Sequence, residues 1–184
     1  GDYANALYHY LQALEIDKKL GNKSGVARHL GNIGGVYTAL GDMEKDPHRQ
    51  DSLYTLAMEH YQESMQIAEE IKYKYMMAGS RVTIAGLFIK QHNPLHALSL
   101  ADAAITLLTE MHELYFLQEA HRIRSLADSA MSFVDLKIYR FDDFLNNDEY
   151  DKLRKVLKNK DQTKAWWLKR AYEDYLLHMQ YKET

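Results

Sequence analysis

Apolar side chains recur along this chain at spacings of three, four and seven, the period of one helix face. Ala6, Tyr10, Ala13 and Leu20 form one such series, and Leu30, Ile33, Tyr37 and Leu40 form the next. Gly21 and Gly41 stand just past the two series, where a helix C-terminus favours a residue that tolerates a left-handed backbone. Ser24 is placed to cap the second helix, and Pro94 suits the first turn of a later one. The pattern predicts an all-α chain.

The series repeat. Gly1-Asp2-Tyr3 returns as Gly41-Asp42-Met43. Ala6-Leu7, Tyr10 and Ala13-Leu14 return as Ala57-Met58, Tyr61 and Ser64-Met65, then as Ala97-Leu98, Ala101 and Ala104-Ile105. The interval from Ala57 to Ala97 is forty residues, and that from Ala6 to Ala57 is eleven longer. The other half of the unit keeps the longer interval, because Asn32-Ile33-Gly34 with Tyr37 matches Thr83-Ile84-Ala85 with Phe88. Two independent halves sharing one offset indicate a helical repeat carrying an eleven-residue insertion. The insertion falls in residues 44–56, where a polar, exposed excursion around Asp46-Pro47-His48-Arg49-Gln50-Asp51 is expected in place of a tight turn. Small residues at Gly34 and Ala85, and at Ala6, Ala57 and Ala97, let neighbouring helices approach closely; Tyr37, Phe88, Tyr10 and Tyr61 fill the space beside them.

A small residue, an aromatic three on, Gly-Asp, then alanine with an aromatic four later and a small residue three after that resembles the tetratricopeptide repeat. Here it reads Gly34, Tyr37, Gly41-Asp42, Ala57, Tyr61 and Ser64. The forty-residue period is similar to a longer variant found in bacterial signalling proteins. Ala13-Leu14-Glu15-Ile16 and Arg28-His29-Leu30-Gly31-Asn32-Ile33-Gly34 are similar to arrays that precede nucleotide-cyclase or sensor-kinase domains. The resemblance covers residues 1–131 and implies a right-handed superhelix, an α-solenoid of antiparallel helix pairs. It begins on the second helix of a pair, so a piece of a longer array is expected. There are departures: Arg81 and His121 stand in the place of Leu30, and Ser125 and Asp128 take the small and aromatic positions of a helix read from Leu114 to Met131. Over residues 132–184 divergent helices are expected, either capping the open end of the array or joining two copies as a homodimer.

The resemblance implies a protein-protein interaction module, a scaffold or signalling piece that holds a protein or peptide ligand, extended or helical, in a concave groove. Repeat phase places Arg28, Gly31, Asn32, Gly35 and Thr38 on that groove, then Gly79, Val82, Thr83, Gly86 and Ile89 with Lys90 at the edge, then Glu119, Arg122, Ile123 and Ser129. Arg28, Asn32, Gly35, Thr38, Thr83, Lys90 and Arg122 are the candidate partner contacts, the arginine fork suiting a carboxylate. The alternative from another class is the regulatory region of an enzyme, a cyclase or histidine kinase, whose catalytic domain lies outside this chain.

Composition narrows the rest. A net charge of -3 does not mark a nucleic-acid binder, and the basic run Lys152, Arg154, Lys155, Lys158 and Lys160 is interleaved with Asp148, Glu149, Asp151 and Asp161. The chain has no cysteine, which removes thiolate chemistry. His92 and His96 are divided by Pro94, and no histidine set has zinc-ligand spacing. Asp42, Glu44 and Asp46 open like a calcium loop, but Pro47 stands where glycine is required and Leu53 where a bidentate glutamate is required. Gly31, Gly34 and Gly35 follow no strand and precede no Gly-Lys-Ser/Thr. No catalytic residue, metal or cofactor is therefore expected. No apolar run reaches the ~18 residues of a spanning helix. The compartment is open, with the cytoplasm favoured.

Overall fold

The computed structural model describes residues 1–131. Six helices and no strand occur among them: α1 (Tyr3–Leu20), α2 (Lys23–Met43), α3 (Pro47–Glu70), α4 (Lys74–Lys90), α5 (Pro94–Met111) and α6 (Leu114–Met131). The chain divides into two compact units, with the boundary inside α4, after Leu87. The capping or dimerising helices expected over residues 132–184, and the basic run within them, lie outside the described residues.

In the first unit α1 packs on α2 and α2 on α3. Leu14, Val26, Leu30 and Ile33 form the core between α1 and α2, with Leu7, Tyr10, Tyr37 and Ile67 packed around it. Burying one such side chain contributes roughly 1.5–3 kcal/mol. The contacts of α2 with α3 run in opposite chain directions. Lys23 pairs with Glu70, Ser64 Oγ donates to the Ala27 carbonyl at 2.7 Å, and the Tyr54 hydroxyl donates to Asp42 at 2.8 Å. The two helices are therefore antiparallel. In the second unit α5 packs on α6, burying Leu95, Leu98, Ala101, Ala104 and Leu108 on one and Leu117, Ala120, Ile123, Ala127 and Met131 on the other.

The turns repeat at the offsets read in the sequence. Gly21, Lys72 and His112 each adopt a left-handed backbone after a helix, at φ of 68°, 54° and 55°. The amide beyond each closes on a carbonyl five residues earlier: Asn22 to Asp17, Tyr73 to Ala68 and Glu113 to Leu108. His92 makes the same turn after α4, with Asn93 bonded back to Phe88. The stripe Ala57, Tyr61, Ser64 and Ala68 of α3 is buried throughout, and so is Ala97, Ala101, Ala104 and Leu108 of α5.

Residues 44–56 depart from the expected excursion. Compared with α4, α2 runs four residues further, and compared with α5, α3 starts seven residues earlier, which together absorb the eleven extra residues. Four and seven residues are close to one and two helical turns, so the faces of both helices keep their direction. Only Glu44, Lys45 and Asp46 remain as a connection. Glu44 accepts from the Lys45 and Asp46 amides, and Asp46 caps α3 by accepting from the His48 and Arg49 amides. Pro47 sits in the first turn of α3, where its missing N–H loses nothing. Asp46, Pro47, His48, Arg49 and Asp51 are exposed as expected, but all except the capping Asp46 are on a helix rather than a loop.

Two further terminal expectations are corrected. Gly41 does not end α2; it lies buried inside it, and a Cβ there would stand 2.6 Å from the Tyr54 ring. Asn22, not Ser24, caps α2, its side chain accepting from the Gly25 amide at 3.1 Å. Gly21 and Pro94 stand where the sequence placed them.

Candidate partner-binding surface

Arg28, Asn32, Gly35 and Thr38 fall at four- and three-residue steps on α2 and so share one stripe. Arg28 and Asn32 are exposed, and Gly35 and Thr38 are half-buried. Among the described residues no ion pair engages Arg28. The edge of the stripe is tied to α3. The Thr38 hydroxyl donates to the Gly34 carbonyl at 3.0 Å and lies 3.1 Å from the Tyr61 hydroxyl. A Cβ on Gly35 would approach only that Tyr61 hydroxyl, at 3.7 Å, and one on Gly31 only Ser64, at 3.6 Å. These two glycines therefore lower the surface without being forced by packing. Gly34, between them in sequence, has the opposite role: its Cβ would lie 2.7 Å from the Tyr61 ring.

Burial pushes the Tyr61 hydroxyl above the ordinary tyrosine range, against the hydrogen bond with Thr38, which pulls it down. Two turns back along α3, Tyr54 is pushed up to about 12 by burial, helped by its bond to Asp42 and the charge of that carboxylate. Its protonated form is thus favoured in the folded chain over the unfolded one. The stabilisation is fully present below pH ~10, the unfolded value, and is lost as pH rises from ~10 to about 12. Tyrosinate absorbance during alkaline titration should show late-titrating phenols, and Tyr54→Phe should remove one of them.

On α4 Thr83 is half-buried and donates its hydroxyl to the Gly79 carbonyl at 2.9 Å. Both candidate threonines thus spend their donors on their own helices. Val82, expected on the groove, is 2% exposed and belongs to the core. Ile123 on α6 is likewise 2% exposed. In the second unit Lys90 is exposed at the end of α4, and Arg122 is exposed on α6. The Arg122 fork is held by Glu119 three residues back, Nε to Oε2 at 2.8 Å and Nη2 to Oε1 at 2.5 Å. That carboxylate raises the Arg122 pKa. A ligand carboxylate at Arg122 would have to displace Glu119.

A cluster not read from the sequence lies between α1 and α2. His29 Nε2 stands 3.2 Å from Asp17, both side chains being mostly buried. Asp17 also accepts from the Asn22 side chain at 2.9 Å. A Cβ on Gly25 would collide with Asp17, so Gly25 makes room for this group. The signal was in the repeat itself: Asp17 stands where α3 has Ala68, a polar residue at a core position. Two other histidines make local contacts. His60 stacks on Tyr37 with ring centroids 5.5 Å apart, and His96 pairs with Asn93 at the start of α5. Among the described residues no group of three His, Asp or Glu is placed to hold a metal ion, and no helix is long and apolar enough to cross a membrane. Comparison with protein-family models and with curated proteins gives no match.

Proposed function

We propose that this chain is a protein-interaction module of the tetratricopeptide kind, whose α2 stripe holds an extended peptide or a partner helix. The observation that carries it is the arrangement on α2: an exposed Arg28 and Asn32 beside Gly31 and Gly35, two glycines that no neighbouring side chain demands. Glycine in mid-helix costs about 1 kcal/mol against alanine. Where packing does not require it, the bare backbone opens room for something else to approach. Arg28 supplies a fork for a carboxylate, and Asn32 supplies a donor and an acceptor for a peptide backbone. Repeat phase gives Thr83 and Lys90 on α4 and Arg122 on α6 the same role.

Peptides selected by phage display on the full chain give the test. Combined Arg28→Ala and Asn32→Ala replacement should weaken the selected peptides about tenfold, the loss of one or two charge-assisted hydrogen bonds. Both residues are exposed, so helical circular dichroism should not change. Peptides indifferent to the double variant would remove the α2 stripe as the site. Arg122→Ala should matter less, because Glu119 already occupies its fork.

A further inference from the structure

The first unit is charged unevenly along its helix axes. The turn from α1 to α2 and the turn from α3 to α4 lie on one edge, because Lys23 at the start of α2 pairs with Glu70 at the end of α3, and Lys18 at the end of α1 lies 4.0 Å from Glu63. Residues 18–24 and 71–75 hold Lys18, Lys19, Lys23, Lys72 and Lys74 and no acidic residue, and all of these lysines are exposed. The opposite edge is the connection from α2 to α3, roughly 30 Å away along the length of α2. Residues 42–51 there hold Asp42, Glu44, Asp46 and Asp51 against Lys45 and Arg49. Tyr73 and Tyr75 stand among the lysines of the first edge, 43% and 38% exposed, with ring centroids 6.3 Å apart. A helix packed beside another meets its flank, not the turn beyond its end, so neighbours of α1 or α3 leave these tips open.

We propose that this edge rests on an anionic lipid bilayer, with the lysines in the field of the headgroups and the Tyr73 and Tyr75 rings in the interfacial layer. The choice of residues favours a charged surface over nucleic acid or a folded partner. Every cation at the two tips is lysine, a hydrated point charge suited to a diffuse field. None is arginine, whose planar fork reads one phosphate or carboxylate at close range. Tyrosine is the side chain enriched where an apolar ring meets lipid and its hydroxyl meets water. Glu15, Glu63 and Glu70 stand behind the tips beside Lys19, Lys18 and Lys23, and Glu69 faces Arg81. Ion pairs as exposed as the three lysine pairs contribute little, so lipid phosphates compete for these lysines. The acidic opposite edge is repelled by the same surface, which turns the lysine edge toward it.

Sedimentation of the full chain with vesicles of phosphatidylcholine, with and without one-third phosphatidylglycerol, gives the test. At physiological salt the chain should bind the anionic vesicles at least about tenfold more strongly than the neutral ones, and raised salt should release it. Lys72→Glu with Lys74→Glu should weaken that binding about tenfold or more. Tyr73→Ser with Tyr75→Ser should weaken it about threefold or more, through lost apolar contact. Lys45→Glu with Arg49→Glu removes the same charge from the opposite edge, several screening lengths away, and should change binding by less than about twofold. All of these side chains are exposed, so helical circular dichroism should be retained in each variant. No preference for anionic vesicles, indifference to the lysine or the tyrosine variant, or equal weakening by the opposite-edge variant overturns the proposal. Binding of a single-stranded oligonucleotide that the lysine variant abolishes, with no binding to vesicles, would assign the edge to nucleic acid and overturn it as well.

Discussion

Gly34→Leu should destabilise the first unit by about 3 kcal/mol, while Gly35→Ala, one residue on, should stabilise it by about 0.5–1 kcal/mol. The two glycines differ in what a side chain would meet. At Gly34 the first added carbon already lies 2.7 Å from two atoms of the Tyr61 ring and 3.1 Å from the Ala57 carbonyl. The ring cannot simply swing away: Tyr61 is 4% exposed and its hydroxyl is held at Thr38. The carbonyl belongs to the backbone of α3, so relief requires the helices to part. Overpacking of this kind costs 1–3 kcal/mol and sometimes more, and leucine adds three carbons beyond the first. The better helix propensity of leucine returns under 1 kcal/mol. At Gly35 the nearest atom is 3.7 Å away, an ordinary contact, so the propensity gain stands alone. For a chain of this length the two variants should move the melting temperature in opposite directions, down by roughly 6–12 °C and up by roughly 1–4 °C. If Gly34→Leu is neutral, α2 and α3 do not touch through this glycine.

Much of this architecture was legible in the sequence because its signals were local. Gly21 announced a left-handed turn and Pro94 a first turn. The small residues at Ala57 and Ala97, together with Tyr61, marked the buried stripe, and continuing the repeat gave a helix over residues 114–131. The insertion was misread for a physical reason. Gly41, Asp42, Asp46 and Pro47 are turn formers when taken one by one, and nothing in the sequence says that Gly41 is small to admit the ring of Tyr54 thirteen residues on. A glycine that permits a left-handed backbone and a glycine that permits close packing look alike until the partner is known. Val82 and Ile123 were misplaced in a similar way. Repeat phase places them on the groove stripe, but the apolar character of both side chains favours burial. Leu20 failed in the other sense, since its spacing joined it to a buried face and the structure leaves it open.

Removing residues 43–53 should leave a folded, fully helical chain, with stability reduced by no more than about 2 kcal/mol. The junction then reads Gly41-Asp42-Tyr54-Thr55-Leu56-Ala57, the same order of glycine, aspartate, tyrosine and alanine that opens α1 as Gly1-Asp2-Tyr3 and Ala6. Asp2 caps α1 by accepting from the Asn5 amide at 3.1 Å, and Asp42 should take over that role for the shortened α3. Gly41 should leave the helix and take the left-handed turn that His92 takes at the matching place after α4. The four residues lost from α2 and the seven lost from α3 are near-whole numbers of turns, so Gly34 and Tyr61 still face each other. A second replacement makes the result specific. In the intact chain Tyr54→Ala empties the space against Gly41 and should cost about 3 kcal/mol, the low end for a buried aromatic. In the shortened chain Tyr54 sits in a first turn, as the half-buried Tyr3 does, and the same replacement should cost about 1 kcal/mol or less. Equal costs in the two backgrounds would mean that Tyr54 and Gly41 are not coupled. A shortened chain that fails to fold would mean that the lengthened hairpin is an integral element and not a forty-residue repeat carrying three extra helical turns.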